Sequence, residues 1–129
     1  MRDSSLVKKL YWVAGAREDV RRFPEAVRQV LGYALYLAQT GGKHVDAKPL
    51  KGFGGAGVLE AVEDHEGDTY RAVYTVRFKN AVYVLHAFQK KSKKGAATPK
   101  PDIDAIRERL KMAAEHYAAA NRRPGGQTP

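Results

Sequence analysis

Cysteine does not occur in this sequence. Its absence excludes disulfides, thiolate metal sites and a cysteine nucleophile, and it fits a reducing, cytoplasmic compartment. Long apolar runs are missing too. No stretch approaches the ~18 residues of a membrane span, and the first residues lack the apolar core of a signal peptide. A cytoplasmic chain with no membrane partner is therefore expected. The histidines, His44, His65, His86 and His116, are scattered. No pair has i,i+4 or other metal-ligand spacing, so neither metal catalysis nor a cofactor is expected. Acidic residues are scarce: 14 Asp and Glu stand against 23 Lys and Arg, a net charge of +9. That excess favours association with nucleic acid or with an acidic partner, and says nothing about fold.

What is present reads as one domain, which suits 129 residues. Leu6 to Val13 suggests a first strand, and Ala16 to Arg22 a short helix. After Phe23-Pro24, the apolar residues Val27, Val30, Leu31, Ala34, Leu35 and Ala38 recur at helical spacing, and Gly41-Gly42 supply a stop. A loop from Lys43 to Gly57 follows. Val58 to Glu63, Tyr70 to Phe78 and Ala81 to Phe88 read as strands rich in Val, Tyr and Phe. Lys90 to Pro101 reads as a basic loop. Asp102 to Asn121 reads as a helix, with Asp102 at its N-cap or in its first turn. The order β-α-α-β-β-β-α predicts an α+β fold, its helices packed on a mostly antiparallel sheet. Residues 1–121 form the domain, and 122–129, rich in Pro and Gly, a flexible tail.

Side chains alternate faces along a strand. Tyr70, Ala72, Tyr74, Val76 and Phe78 make one apolar face, which should meet helices; Arg71, Val73, Thr75 and Arg77 make a mixed face. A two-residue turn at Lys79-Asn80 places Arg71 opposite Phe88, Val73 opposite His86 and Thr69 opposite Lys90. Arg71, His86 and Lys90 then share a face at one end of the sheet. A four-residue loop, Asp64 to Gly67, places Glu60 opposite Arg71; a slip of one residue sends Glu60 to the far face.

Several features admit two readings. Gly52-Phe53-Gly54-Gly55-Ala56-Gly57 matches G-x-G-x-x-G, but it precedes a strand where a dinucleotide fingerprint follows one, so it reads as a turning loop. Arg71 is either half of an ion pair with Glu60 or an anion clamp. His86 is either a packed sheet histidine or part of a site. His44 and His65 read as solvated loop residues, and His116 as the exterior of the last helix. Lys90, Lys91, Lys93, Lys94 and Lys100 fall in a stretch without acid, and Lys43, Lys48 and Lys51 lie in the earlier loop. Such runs are either solvated surface or the walls of a polyanion groove, with Phe53 and Tyr83 or Phe88 as stacking surfaces for bases.

The segments KPLKGFGGAGVLEAVEDHEGDTYRAVYTVRF, YVLHAFQKKSKKG and TPKPDIDAIRERL resemble the RelE/HigB-like toxins of toxin–antitoxin systems, in particular their phage-derived branch. The resemblance spans about Tyr11 to Tyr117. It implies a RelE-like α+β fold and a metal-independent endoribonuclease that cleaves mRNA, typically on the ribosome. It also implies a cognate antitoxin, often a helix-turn-helix protein, and operator binding through the complex of the two. By the same resemblance Arg71, Lys90 and Lys91 serve the scissile phosphate, with His86 and Glu60 as candidates for proton transfer. Lys48, Lys51, Lys93, Lys94, Arg77 and Phe88 would contact RNA. A ParE-like gyrase inhibitor and a non-enzymatic nucleic-acid-binding module are the competing functions.

Overall fold

The computed structural model describes residues 7–55, 57–91 and 97–122. Its longest early helix shows how directly local chemistry writes the fold. Val27, Leu31, Ala34, Leu35 and Ala38 form one buried stripe of α2 (Glu25–Gln39). Pro24 stands just ahead of the first helical residue. At the far end Gly41 takes φ 92°, which glycine adopts without strain. The amides of Gly41 and Gly42 then reach back to the carbonyls of Ala38 and Leu37, at 3.2 and 2.7 Å. This closes the helix in a Schellman motif.

Around α2 the chain runs β1 (Lys9–Trp12), α1 (Ala16–Arg21), α2, β2 (Ala47–Pro49), β3 (Val58–His65), β4 (Asp68–Thr75), β5 (Ala81–Lys91) and α3 (Lys100–Asn121). This is an α+β fold. One five-stranded sheet has the order β1-β5-β4-β3-β2. β1 lies parallel to β5, and every other neighbouring pair is antiparallel. α1 and α2 cover one face, burying Tyr70, Ala72, Tyr74, Val82 and Val84 beneath them. α3 covers the other, where Ile106 and Ala113 meet Val73, Tyr83 and Leu85. β4 and β5 are thus buried on both sides. No helix among the described residues is long and apolar enough to cross a membrane.

Several sequence expectations shift. The first strand is confined to Lys9–Trp12, and Leu6 lies outside the described residues, as do Ala56 and positions 123–129 of the expected tail. The loop from Lys43 holds an additional strand, β2, too short and polar to show a pattern. The β3–β4 hairpin closes through Glu66 and Gly67, with φ 50° and 87°, between the paired His65 and Asp68. That is a two-residue turn of the I′ kind, not a four-residue loop, so His65 ends a strand. β4 stops at Thr75. Val76 to Asn80 make a longer connection than the expected two-residue turn, and Phe78 crosses to the α3 layer. β5 continues to Lys91, and Lys100 already starts α3, so the basic loop is shorter than expected. Asp102 falls in the first turn of α3, and Pro99 is the N-cap. The mixed face is not open: α3 lies across it.

β5 carries a bulge. Val73 pairs with His86, but Tyr74 pairs with Val84, leaving Leu85 as the extra residue. Up to the bulge Ala81, Tyr83 and Leu85 face α3. Beyond it His86 and Phe88 do, and Ala87 turns to α1 and α2. Tyr83 is therefore buried under α3, at 1% exposure, and offers no stacking surface to a base.

Two tyrosines record this burial. Desolvation pushes the Tyr74 hydroxyl up to about 12, and desolvation, reinforced by Tyr11 and Tyr117, pushes Tyr83 up to about 12. Both shifts favour the neutral form in the folded state, so folding stability is intact below the usual tyrosine value and falls as pH rises from about 10 toward 12. A titration followed at 295 nm should show late-ionising tyrosines whose step coincides with loss of far-UV circular dichroism. In the Tyr74→Phe/Tyr83→Phe protein that step should vanish. The Tyr74 hydroxyl is buried and makes no hydrogen bond among the described residues. Tyr74→Phe alone should therefore raise stability at neutral pH by about 1 kcal/mol in urea denaturation.

Candidate functional site

Arg71 sits in the middle of β4, opposite Val62 in β3 and Phe88 in β5. Its side chain is only 4% exposed and pairs with Glu60, Nη1 to Oε2 at 3.2 Å. Glu60 stands opposite Val73, not Arg71. The hairpin register differs by two residues from the expected one, and a shift of two preserves the face. The pair therefore forms diagonally. The Thr98 hydroxyl donates to the same carboxylate oxygen at 3.0 Å, tying the segment before α3 to the sheet.

This pair lines a cleft of about 910 Å³. One wall is β2 and the turn after it, with Lys48 and Lys51. β3 contributes Glu60, Glu63 and Asp64. The other wall brings Thr98 and, from α3, Ile103 and Arg107. Lys48 is exposed and stands opposite Glu60 in the β2–β3 pair. Arg107 lies over the Phe53 ring, 4.7 Å from its centroid. With Gly52, Gly54 and Gly57 at φ 94°, 48° and 70°, the glycine-rich loop turns and sets Phe53 against Arg107 of the cleft's wall. The lining is not uniformly basic: Lys48, Lys51, Arg71 and Arg107 are matched by Asp46, Glu60, Glu63 and Asp64.

Lys90 stands opposite Thr69, beside Arg71 along the sheet. Its ammonium donates to the Ala97 carbonyl at 3.0 Å, at the cleft's edge. Lys91 pairs with Asp68 in the same ladder. Lys93 and Lys94 lie outside the described residues. Arg77 is not brought to this place. It follows the other end of β4, exposed, with its guanidinium 5.5 Å from the Phe78 ring centroid. The four residues of strand from Arg71 to Thr75 alone span roughly 13 Å, and Arg77 lies beyond them.

His86 has both ring nitrogens engaged. Nη1 of Arg109 lies 2.8 Å from its Nδ1, and Oδ1 of Asp102 lies 2.6 Å from its Nε2. A guanidinium donates only, so Nδ1 accepts and the ring proton sits on Nε2, donating to Asp102. The same Arg109 nitrogen donates to the Leu85 carbonyl at 3.1 Å. Phe88 stacks on the imidazole, with centroids 5.2 Å apart and planes 27° from parallel. His86 and Phe88 thus form a seam joining β5 to α3. The other histidines also find neighbours. His116 is no bare exterior residue: its Nδ1 lies 2.7 Å from the Tyr83 hydroxyl. His44 accepts the Asp46 amide at 3.0 Å, and His65 meets the Tyr70 ring edge-on. Among the described residues no three metal-ligating side chains are grouped.

Sequence reasoning missed Thr98, Arg107, Arg109 and the bonding role of Asp102. A signal existed for two of them. Asp102, Ile106, Arg109 and Ala113 fall on one helical stripe. Charged residues inside an apolar stripe need a buried polar partner, and the histidine on the facing strand supplies it.

A family model described as phage derived protein Gp49-like (DUF891) matches residues 18–111. No curated protein and no solved structure matches the chain. The matched stretch runs from α1 into α3 and includes every residue of the cleft.

The seam makes a direct stability prediction. Arg109→Ala leaves a half-buried imidazole nitrogen and the Leu85 carbonyl without their donor, so it should lower unfolding free energy by about 1–3 kcal/mol. Long-range ¹⁵N NMR should find the His86 ring proton on Nε2. In the Arg109→Ala protein that preference should weaken.

Proposed function

The chain belongs to the phage-derived Gp49-like family, and from that premise we propose that it is the toxin of a toxin–antitoxin pair, a RelE/HigB-like metal-independent endoribonuclease acting on mRNA at the ribosome. The observation that carries the reading is the buried Arg71–Glu60 pair, bonded by Thr98, on the floor of a cleft, with Lys90 at its edge and Lys48 and Lys51 on its wall. RNA supplies its own nucleophile, the 2′-OH. That oxygen attacks the adjacent phosphorus, the bond to the 5′ oxygen breaks, and a 2′,3′-cyclic phosphate and a 5′-OH end result. Glu60 is the proposed acceptor of the 2′-OH proton. Lys90 is the proposed donor to the departing oxygen, and Arg71 balances the charge that grows on the phosphoryl oxygens. Lys48, Lys51 and Lys91 would hold the flanking backbone. His86, bonded through both nitrogens, is assigned to positioning β5 against α3. A cognate antitoxin and operator binding through their complex complete the proposal.

The pairing of Arg71 with Glu60, which occupies both groups with each other, favours one alternative, a module that binds nucleic acid without cutting it. Mapping RNA 5′ ends after induced expression separates the two. Clustered cuts in mRNA should appear, and Lys90→Ala should lower them on the order of 100-fold, against a few-fold for Lys94→Ala. Arg71→Ala also removes one partner of a buried pair, at about 3–5 kcal/mol, so its activity is meaningful only beside its melting curve. RNA bound but uncut in the presence of ribosomes, or equal losses from both lysine variants, would sink the proposed site.

A further inference from the structure

On the far face of the sheet, at the opposite edge from the cleft, a groove of about 280 Å³ lies between β1, α1 and α2. Its floor is apolar: Leu10 and Trp12 of β1 are half-buried there, with Val20 and Leu35 beneath. Its rim is basic. Arg17 and Arg21 of α1 and Arg28 of α2 line it, all exposed, and no carboxylate does. Arg17 and Arg21 make no ion pair among the described residues, and Arg28 spends its Nε on the Phe23 carbonyl at 3.0 Å. Three guanidinium groups over an apolar floor form a surface complementary to acidic, amphipathic chains.

Two further observations say that the groove takes a polypeptide. β1 is the terminal strand of the sheet. The amides of Lys9 and Val13 bond inward to Asn80 and Val84, at 3.2 and 2.9 Å. Alternation therefore turns the backbone groups of Leu10 and Trp12 outward, where no described strand meets them. Such an edge recognises another peptide backbone and has no use for a nucleic acid. The second observation is Gly32. A glycine inside a helix costs about 1 kcal/mol relative to alanine, yet a Cβ built on Gly32 meets nothing within 4 Å. Packing does not require this glycine. It stands one helical turn from Arg28, and its missing side chain keeps the groove open.

We propose that this groove and the adjoining β1 edge dock an acidic, amphipathic segment of a partner protein. The inference stands apart from RNA cleavage, since groove and cleft share no residue. Occupancy of the groove leaves the cleft uncovered.

The chain holds a single tryptophan, Trp12, on the groove floor, so its emission reports occupancy directly. The probe is a short synthetic peptide of alternating leucine and glutamate, compared with polyglutamate of equal charge and with a single-stranded RNA oligonucleotide. The Leu/Glu peptide should shift Trp12 emission to the blue and saturate. Arg17→Ala/Arg21→Ala should weaken binding by at least about tenfold, and Lys48→Ala/Lys51→Ala in the cleft should leave it unchanged. Gly32→Leu should abolish binding in calorimetry while the melting temperature holds or rises, which separates a filled groove from a broken fold. The proposal is overturned by an equal response to polyglutamate or RNA, by no saturable response to the peptide, or by undiminished binding to the Gly32→Leu protein.

Discussion

One inserted residue decides which side chains of β5 reach the cleft's edge and the seam under α3. Leu85 bulges out of β5, so that Tyr83 and Leu85 before it, and His86 and Phe88 after it, all face α3. Strand alternation has a period of two, and an odd insertion reverses it. Remove the insertion, and the strand keeps its apolar half in place only by turning His86 and Lys90 toward α1 and α2, onto the face that holds the larger apolar cluster. The imidazole would lose Asp102 and Arg109, and Lys90 would leave the face it shares with Arg71. Arg109 bonds both to the bulged Leu85 carbonyl and to His86, so the helix that covers the sheet is fastened at the point where the sheet changes phase.

The buried Arg71–Glu60 pair is a different kind of constraint. Taking two charges out of water costs several kcal/mol per ion, and their attraction offsets this only with good geometry and further hydrogen bonds. Thr98 supplies one such bond. The arrangement adds little to stability compared with an apolar pair of the same size. What it provides is position, since a buried guanidinium on β4 and a buried carboxylate on β3 are held at fixed places in the sheet. Placing charged groups on strands rather than loops limits how far they drift, which is what the proposed electrostatic stabilisation of a reacting phosphate would require.

Much of this was legible in the sequence, and the misses have physical causes. The long helices followed from apolar spacing and from Gly41-Gly42. The shared face of Arg71, His86 and Lys90 also emerged, although through a turn the chain does not make: the longer connection at Val76 to Asn80 is compensated by the bulge, and the two departures cancel beyond Val73. Likewise the partner of Arg71 was found with a register off by two, because faces survive even shifts. Thr98 and the wall formed by α3 were not legible, since they depend on where a helix lands across a sheet. β2 escaped because three residues carry no periodicity. Arg77 was assigned to the face of Arg71 by alternation alone; the strand ends before it, and parity means nothing past a strand's end.

The charge of the chain is therefore distributed by role. The cleft carries as much acid as base, so its lining exerts little net pull on a polyanion. Under the proposed function, long-range attraction comes from lysines outside the cleft's lining, and surface charges are screened within about 8–10 Å at physiological salt. The contacts made inside the cleft act at hydrogen-bond distance in a drier setting, where screening is weak. The arginines over Trp12 face away from both, on the other side of the sheet. A single figure of +9 thus conceals separate surfaces: in the functions proposed above, one gathers a polyanion, one orients it and one receives an acidic chain. Salt should loosen the first of these well before it disturbs the second, because only the second is built from buried, directionally bonded charge.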